Sequence, residues 1–259
     1  MNINELTILY VILHILADYY FQSPKLAGKK DAAFGAVALH ALIYALVMLS
    51  ASLALALLGA DWRILLAGAV ISILHMLVDA VKFGLQQQFQ DKLKPGSRGA
   101  GALYLVDQGV HLLVIALLFL GDGVYRAAAT PLQALPPNTL KRGLMLLVNA
   151  KPANVTFKRL FYKYMLDDSI SDPVPKDTLP QKPPEPGAGA LIGTFERFLS
   201  ILFIHLGQFA AIGLVYTAKS IARLEKIGKN PRFAEYYLIG TLYSILFVLV
   251  SYLVIFRFM

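Results

Sequence analysis

Three histidines in this chain stand four residues from an aspartate: His14 with Asp18, His75 with Asp79, and His111 with Asp107. His40 has no acidic partner at that spacing. All seven residues lie inside long apolar segments, where ionisable groups are rare and mark a site or a pathway. Residues four apart share one side of a helix, so each His–Asp pair points one way. The polar stripes extend to Gln22, Tyr44, Lys82 and Tyr104 at three- or four-residue spacing, with Gln108 beside Asp107. Imidazole and carboxylate ligands projecting from facing helices are how helical bundles build metal sites. Four histidines and three aspartates suffice for two divalent ions. Nitrogen and oxygen ligands without sulfur favour Zn, with Mn or Fe(II) as the other choices. Some of the aspartates would orient histidines rather than ligate. Lys82 is suited to holding an anionic group such as a phosphate. The candidates for acid or base are Asp18, Asp79, Asp107 and Lys82, and the spacing does not choose among them.

The elements that position these residues are helices in a bilayer. The chain has 259 residues, 57% of them hydrophobic and only 15% charged, against roughly a quarter charged in a soluble domain. Its mean hydropathy is +0.61. Several apolar runs approach or exceed the roughly 20 residues that cross a membrane. The expected fold is all-α, a polytopic membrane bundle of about six transmembrane helices over Asn4–Phe21, Ala33–Leu58, Trp62–Leu85, Ala102–Leu120, Leu191–Lys219 and Phe233–Phe256. The first segment is read as a retained span, not a removable signal peptide. His14 and Asp18 fall late in span one, His40 early in span two, His75 and Asp79 late in span three, and Asp107 and His111 early in span four. Antiparallel spans then bring all seven to one level, in one leaflet.

Charge orders the loops. Lys25, Lys29 and Lys30 lie in the first, Lys92, Lys94 and Arg98 in the third, and Arg223, Lys226, Lys229 and Arg232 in the fifth, whereas the second has only Arg63 beside Asp61. The positive-inside rule makes the odd loops cytoplasmic and puts both termini outside. The basic stretch Lys141–Lys163 then falls on the wrong side, which either the weak hold of the rule on long connections or a missed re-entrant segment would explain. The net charge of +8 fits loops on an anionic leaflet rather than nucleic-acid binding. The absence of cysteine excludes disulfides, thiolate metal sites and cysteine nucleophiles. No phosphate-cradling glycine loop and no serine triad is visible.

The chain divides as a four-span His/Asp-rich unit at 1–121, a middle region at 122–190 and a two-span C-terminal hairpin at 191–259. In the middle region Phe157, Leu160, Phe161 and Tyr164 fall at helical spacing among basic residues. That pattern predicts an amphipathic interfacial helix within Thr139–Leu166, or else a helix packed on a neighbour. Ser171–Gly187 is a Pro-rich extended linker. Glu196 and Arg197 read as a helix-start pair, and Lys219, Arg223 and Glu235 as snorkelling groups near loop five. His205 reads as a packing histidine, and Gly189 with Gly193 as a weak close-packing motif.

The segments LHILADYYFQ, ALHALIYA, ILHMLVDAVKF and LVDQGVHLL resemble a bacterial family of multi-pass membrane proteins catalogued as a domain of unknown function (number 3307). VNAKPANVTFKRLF and TFERFLSILFIHLGQFAAIGLVYTAKSIARLE continue that resemblance, which implies a bacterial inner-membrane location and little about activity. The order of the His/Asp motifs also resembles YdjM-type membrane-bound metal-dependent hydrolases. That likeness implies that His14, Asp18, His40, His75, Asp79, Asp107 and His111 are the ligand set and that phosphate esters are the substrate class.

Three functions follow as expectations. The first is a metal-dependent hydrolase acting on a lipid or phosphoester, with an anionic lipid as substrate. The second is a divalent-cation or proton-coupled transporter, disfavoured by spans without Pro or Gly breaks around the site. The third is a non-catalytic adaptor whose His–Asp network only holds the bundle together. The lipid bilayer is the expected partner, nucleic acid is not, and a homo-oligomer is left open.

Overall fold

The computed structural model describes residues 5–94, 96–119, 132, 135–164 and 187–259. The Pro-rich linker lies outside the described residues except for Gly187. The described residues form helices and turns, with no strand among them. Helix α1 (Glu5–Ile15) runs into a π-helical turn, Leu16–Tyr20. There follow α2 (Pro24–Lys29), α3 (Phe34–Leu57), α4 (Arg63–Gln88), α5 (Arg98–Phe119), α6 (Thr139–Asn149), α7 (Lys151–Leu160), α8 (Ala188–His205), α9 (Phe209–Ile221), α10 (Leu224–Lys229) and α11 (Pro231–Leu253). Local chemistry sets several starts. Ser23 accepts from the Leu26 amide and Asn230 from the Phe233 amide, each with proline at the next position, where its missing N–H costs nothing.

Five helices are long and apolar enough to cross a membrane: Phe34–Leu57, Arg63–Gln88, Arg98–Phe119, Ala188–His205 and Pro231–Phe258. Their apolar side chains face outward. On α3 the stripe Leu39, Leu42, Leu46, Leu53 and Leu57 is exposed, whereas His40, Tyr44, Met48 and Ser52 are buried. This inversion of a soluble bundle is what contact with lipid favours, because hydrocarbon solvates leucine and leaves polar groups to satisfy one another inside.

The N-terminal helices alternate in direction. Tyr10, early in α1, bonds Ser52, late in α3, and packs on Phe119 at the end of α5. Gly68, early in α4, lies so close to α3 that an added Cβ would fall 2.3 Å from the Ser52 hydroxyl. Helix α6 then runs in the same direction as α1, because the Tyr20 hydroxyl donates to the Leu147 carbonyl and Lys151 Nζ reaches the Gln22 carbonyl at 3.5 Å. It buries Leu144 and Met145 in the core.

Helix α7 stays beside loops one and three: Arg159 pairs with Asp31 at 3.6 Å, and Tyr162 abuts Gly96, whose φ of +84° favours glycine. Lys151 and Arg159 therefore lie on the face of the basic loops, which removes the charge conflict for that part of the stretch, whereas Lys141 and Arg142 stand at the start of α6, towards the other face. The amphipathic segment is a pair of helices, α6 and α7, packed on its neighbours, with Pro152 and Ala153 buried.

The fifth expected span is two helices. Leu206–Gln208 breaks it at Gly207, in the left-handed region at φ +70°. Helix α9 folds back on α8, so that Lys219 meets Glu196 at 2.9 Å. Read as one straight helix, those residues would stand about 35 Å apart.

Candidate metal centre

All seven His/Asp residues converge at one level between α1, α3, α4 and α5. The histidines, Asp79 and Asp107 are buried, and the Asp18 side chain is 8% exposed. Asp18 sits on the π-helical turn, a device that recurs at functional sites because it re-aims side chains without ending the helix. Contacts run between helices more than within them. Asp18 Oδ1 lies 2.9 Å from His40 Nε2 and 3.9 Å from His75 Nε2. His40 and His75 bring their Nε2 atoms to 3.1 Å. Asp79 Oδ2 is 3.7 Å from both.

Three triads place ligand-capable atoms within 4.8 Å of one another: His14–Asp18–His111, Asp18–His40–His75 and His75–Asp79–His111. They overlap at Asp18, His75 and His111. Six of the seven residues thus fall into metal-compatible groups. Asp107 does not; its Oδ2 is held by Lys82 at 2.7 Å and by Gln108 at 3.2 Å.

The supporting residues fix the rings. Tyr44 stacks on His75, with centroids 3.6 Å apart and planes within 3°. Its hydroxyl lies 3.1 Å from His14 Nδ1. Gln108 donates to Asp18 Oδ2 at 3.0 Å and accepts from the Tyr19 hydroxyl at 2.9 Å. Tyr19 meets Tyr104, which meets Thr156 on α7. Gln22 is buried, and its amide nitrogen has no partner among the described residues.

Two participants escaped the sequence reading. Lys30, counted there only as a loop charge, reaches Asp79 Oδ2 at 2.8 Å. Tyr19, whose apolar neighbours hid it, links the cluster to α7 through Tyr104. Spacing could not reveal Lys30, because a loop residue has no helical face.

The cluster is left open in a particular way. His111 is 3% exposed, and neither ring nitrogen has a hydrogen-bond partner among the described residues. The same holds for His14 Nε2, His40 Nδ1, His75 Nδ1 and Asp107 Oδ1. Buried polar atoms without partners cost about 1–3 kcal/mol each, so this many in one place fit a ligand that imidazole and carboxylate would bind. The donor set is nitrogen and oxygen only, which suits Zn, Mn or Fe(II).

The residues singled out in the C-terminal part behave differently. Glu196 pairs with Lys219, and Arg197 is buried, donating to the Asn149 carbonyl, the Asn154 side chain, Thr194 and Ser244. These are inner groups, not a helix-start pair, and Lys219 turns inward rather than snorkelling. Arg223 and Glu235 are exposed. His205 is exposed too, so it is not a packing histidine. Gly189 has nothing within 4 Å of an added Cβ, and Gly193 meets only Arg197 of its own helix. The close helix approach is made by Gly68 instead.

Residues 6–133, the part of the chain that holds the cluster, match the family described as "Protein of unknown function (DUF3307)". No curated protein and no solved structure matches the chain.

Proposed function

We propose that the protein is an integral membrane enzyme of the bacterial inner membrane that hydrolyses a phosphate ester at a divalent-metal centre. His14, Asp18, His40, His75, Asp79 and His111 would hold the metal, most simply as two Zn ions sharing the overlapping triads. Asp107 joins them if Lys82 releases it. The observation that carries the reading is the set of unpartnered ring nitrogens gathered in one buried cluster, His111 above all. A network serving only stability would gain little from them: single interhelical polar contacts in membranes contribute about 0.6 kcal/mol on average.

The chemistry such ions supply is polarisation of the phosphoryl group and activation of water at neutral pH. The chain's own residues do the rest. Gln108 holds Asp18 and Asp107 in place through its amide nitrogen. Tyr44 fixes the His75 plane by stacking. The helices around the cluster exclude bulk water. Water adds to phosphorus, the ester P–O bond breaks, and the leaving oxygen takes up a proton. The cluster's place beside the basic loops directs it toward a lipid head group of the cytoplasmic leaflet.

Elemental analysis of detergent-purified wild type beside His14→Ala/His75→Ala tests the reading. The expected result is stoichiometric Zn, Mn or Fe that the double variant lacks, and phosphate release from a phospholipid that follows the metal. A folded wild type that binds no divalent ion when Zn, Mn or Fe is supplied overturns it. Metal flux into proteoliposomes without hydrolysis overturns the enzyme in favour of a transporter.

A further inference from the structure

The cluster has two cationic neighbours that no metal would use. Lys30 lies in the loop after α2 and sets its ammonium on Asp79; Lys82, one turn beyond Asp79 on α4, sets its own on Asp107. The two carboxylates are each 2% exposed, whereas the lysine side chains are 15% and 21% exposed. Each lysine therefore straddles the boundary between the buried cluster and the basic-loop face. An ammonium has three donors, and one contact to a carboxylate occupies one of them. Among the described residues neither lysine has a second hydrogen-bond or ion-pair partner. The nearby acid on the rim, Asp31, is engaged elsewhere, by Arg159 and by Gln86.

We propose that Lys30 and Lys82 form a two-pronged clamp for a phosphomonoester group at the mouth of the His/Asp cluster, an inference that rests on reading the cluster as a phosphoester-hydrolysing site. Charge selects the monoester. With neutral histidines the three aspartates exceed the two lysines by one charge. Two divalent ions would reverse this to a surplus of positive charge, which a phosphate dianion neutralises better than a singly charged diester. Lysine suits the task because its ammonium acts as a mobile point charge on a flexible stem. Lys30 comes from a loop and meets Asp79, one turn before Lys82 on α4, so the two ammonium groups are supplied by different elements.

The test uses the full metal-loaded chain in nanodiscs. Binding is measured for inorganic phosphate and for nanodiscs containing phosphatidic acid, phosphatidylglycerol or phosphatidylcholine. The wild type should hold phosphatidic acid at least about tenfold more tightly than phosphatidylglycerol. Lys30→Gln/Lys82→Gln should erase that preference at unchanged metal content, and Lys30→Arg/Lys82→Arg should retain most of it. Inorganic phosphate that competes with phosphatidic acid and is lost in the Gln pair identifies the phosphate group itself as what is gripped. Failure of free phosphate to compete, with the lipid preference intact, identifies a lipid-borne monoester.

The wild-type preference needs no variant, so a misfolded Gln pair does not rescue the idea. No preference, or a preference that survives in a folded Gln pair, overturns the clamp. Phosphate binding without turnover keeps the clamp and overturns the hydrolase, whereas turnover unchanged in the Gln pair keeps the hydrolase and overturns the clamp.

Discussion

The His/Asp cluster between α1, α3, α4 and α5 and the Arg197 network between α6, α7, α8 and α11 are both buried in an apolar bundle. They commit their polar atoms in opposite ways. Arg197 is 2% exposed, and its Nε, Nη1 and Nη2 atoms all have acceptors. Both oxygens of Glu196 lie 2.9 Å from Lys219. The atoms this region leaves without partners, Asn149 Oδ1 and Tyr216 OH, belong to neutral groups. In the N-terminal cluster the atoms left open among the described residues are, apart from Gln22 Nε2, imidazole nitrogens and carboxylate oxygens, which bind metals. The lesson is that burial of charge does not identify a site; what matters is whether the network closes on itself. Closed, it ties α6 and α7 to the C-terminal helices. Open, it holds ligand capacity in reserve.

The largest expected effect breaks the comparison outright if it fails. His111→Leu should remove at least half of the bound metal, because two of the three triads need that ring and only Asp18–His40–His75 survives it. It should leave the metal-free protein as stable or raise its stability by about 1–3 kcal/mol, because it removes a buried group with no partner. Elemental analysis and unfolding in mixed detergent with chelator read both, and wild-type metal content in the folded variant would reverse the assignment.

Arg197→Met should do the converse, costing about 2–4 kcal/mol by stranding the acceptors it serves, with metal per folded molecule unchanged. Gly68→Ala reaches the geometry from another side. Its new methyl meets Ser52, so it should cost about 1–3 kcal/mol and weaken metal binding by parting α3 from α4, as melting and metal titration would show. The smallest effect sharpens the link between the regions. Tyr104→Phe should cost about 1 kcal/mol and lower activity slightly, because it cuts the path from Gln108 through Tyr19 to Thr156.

Much of this was legible in the sequence where a helical period carried the signal. His14, Asp18, His40, His75, Asp79, Asp107 and His111 repeat on single faces of segments whose antiparallel order fixes their depth. Where a feature depends on chain reversal, period says nothing. Glu196 and Lys219 looked like residues at opposite ends of one span, because a single glycine in an apolar run does not announce a hairpin. The middle segment looked interfacial because its basic residues are real; its burial depends on neighbours far along the chain.

The sequence by itself determined the membrane environment, the all-helical class and the inward polar stripes, because apolar runs of about 20 residues span hydrocarbon as helices, whose polar groups then find partners inside. It also determined which seven residues share a level, because rise per residue and alternating direction are local rules. Only the tertiary structure decided the pairings: Asp18 with His40, Lys30 with Asp79, Lys82 with Asp107, and Glu196 with Lys219. Side chains that meet across helices are selected by rotation and close approach, as at Gly68 against Ser52, and these are properties of packing that no spacing along one helix encodes.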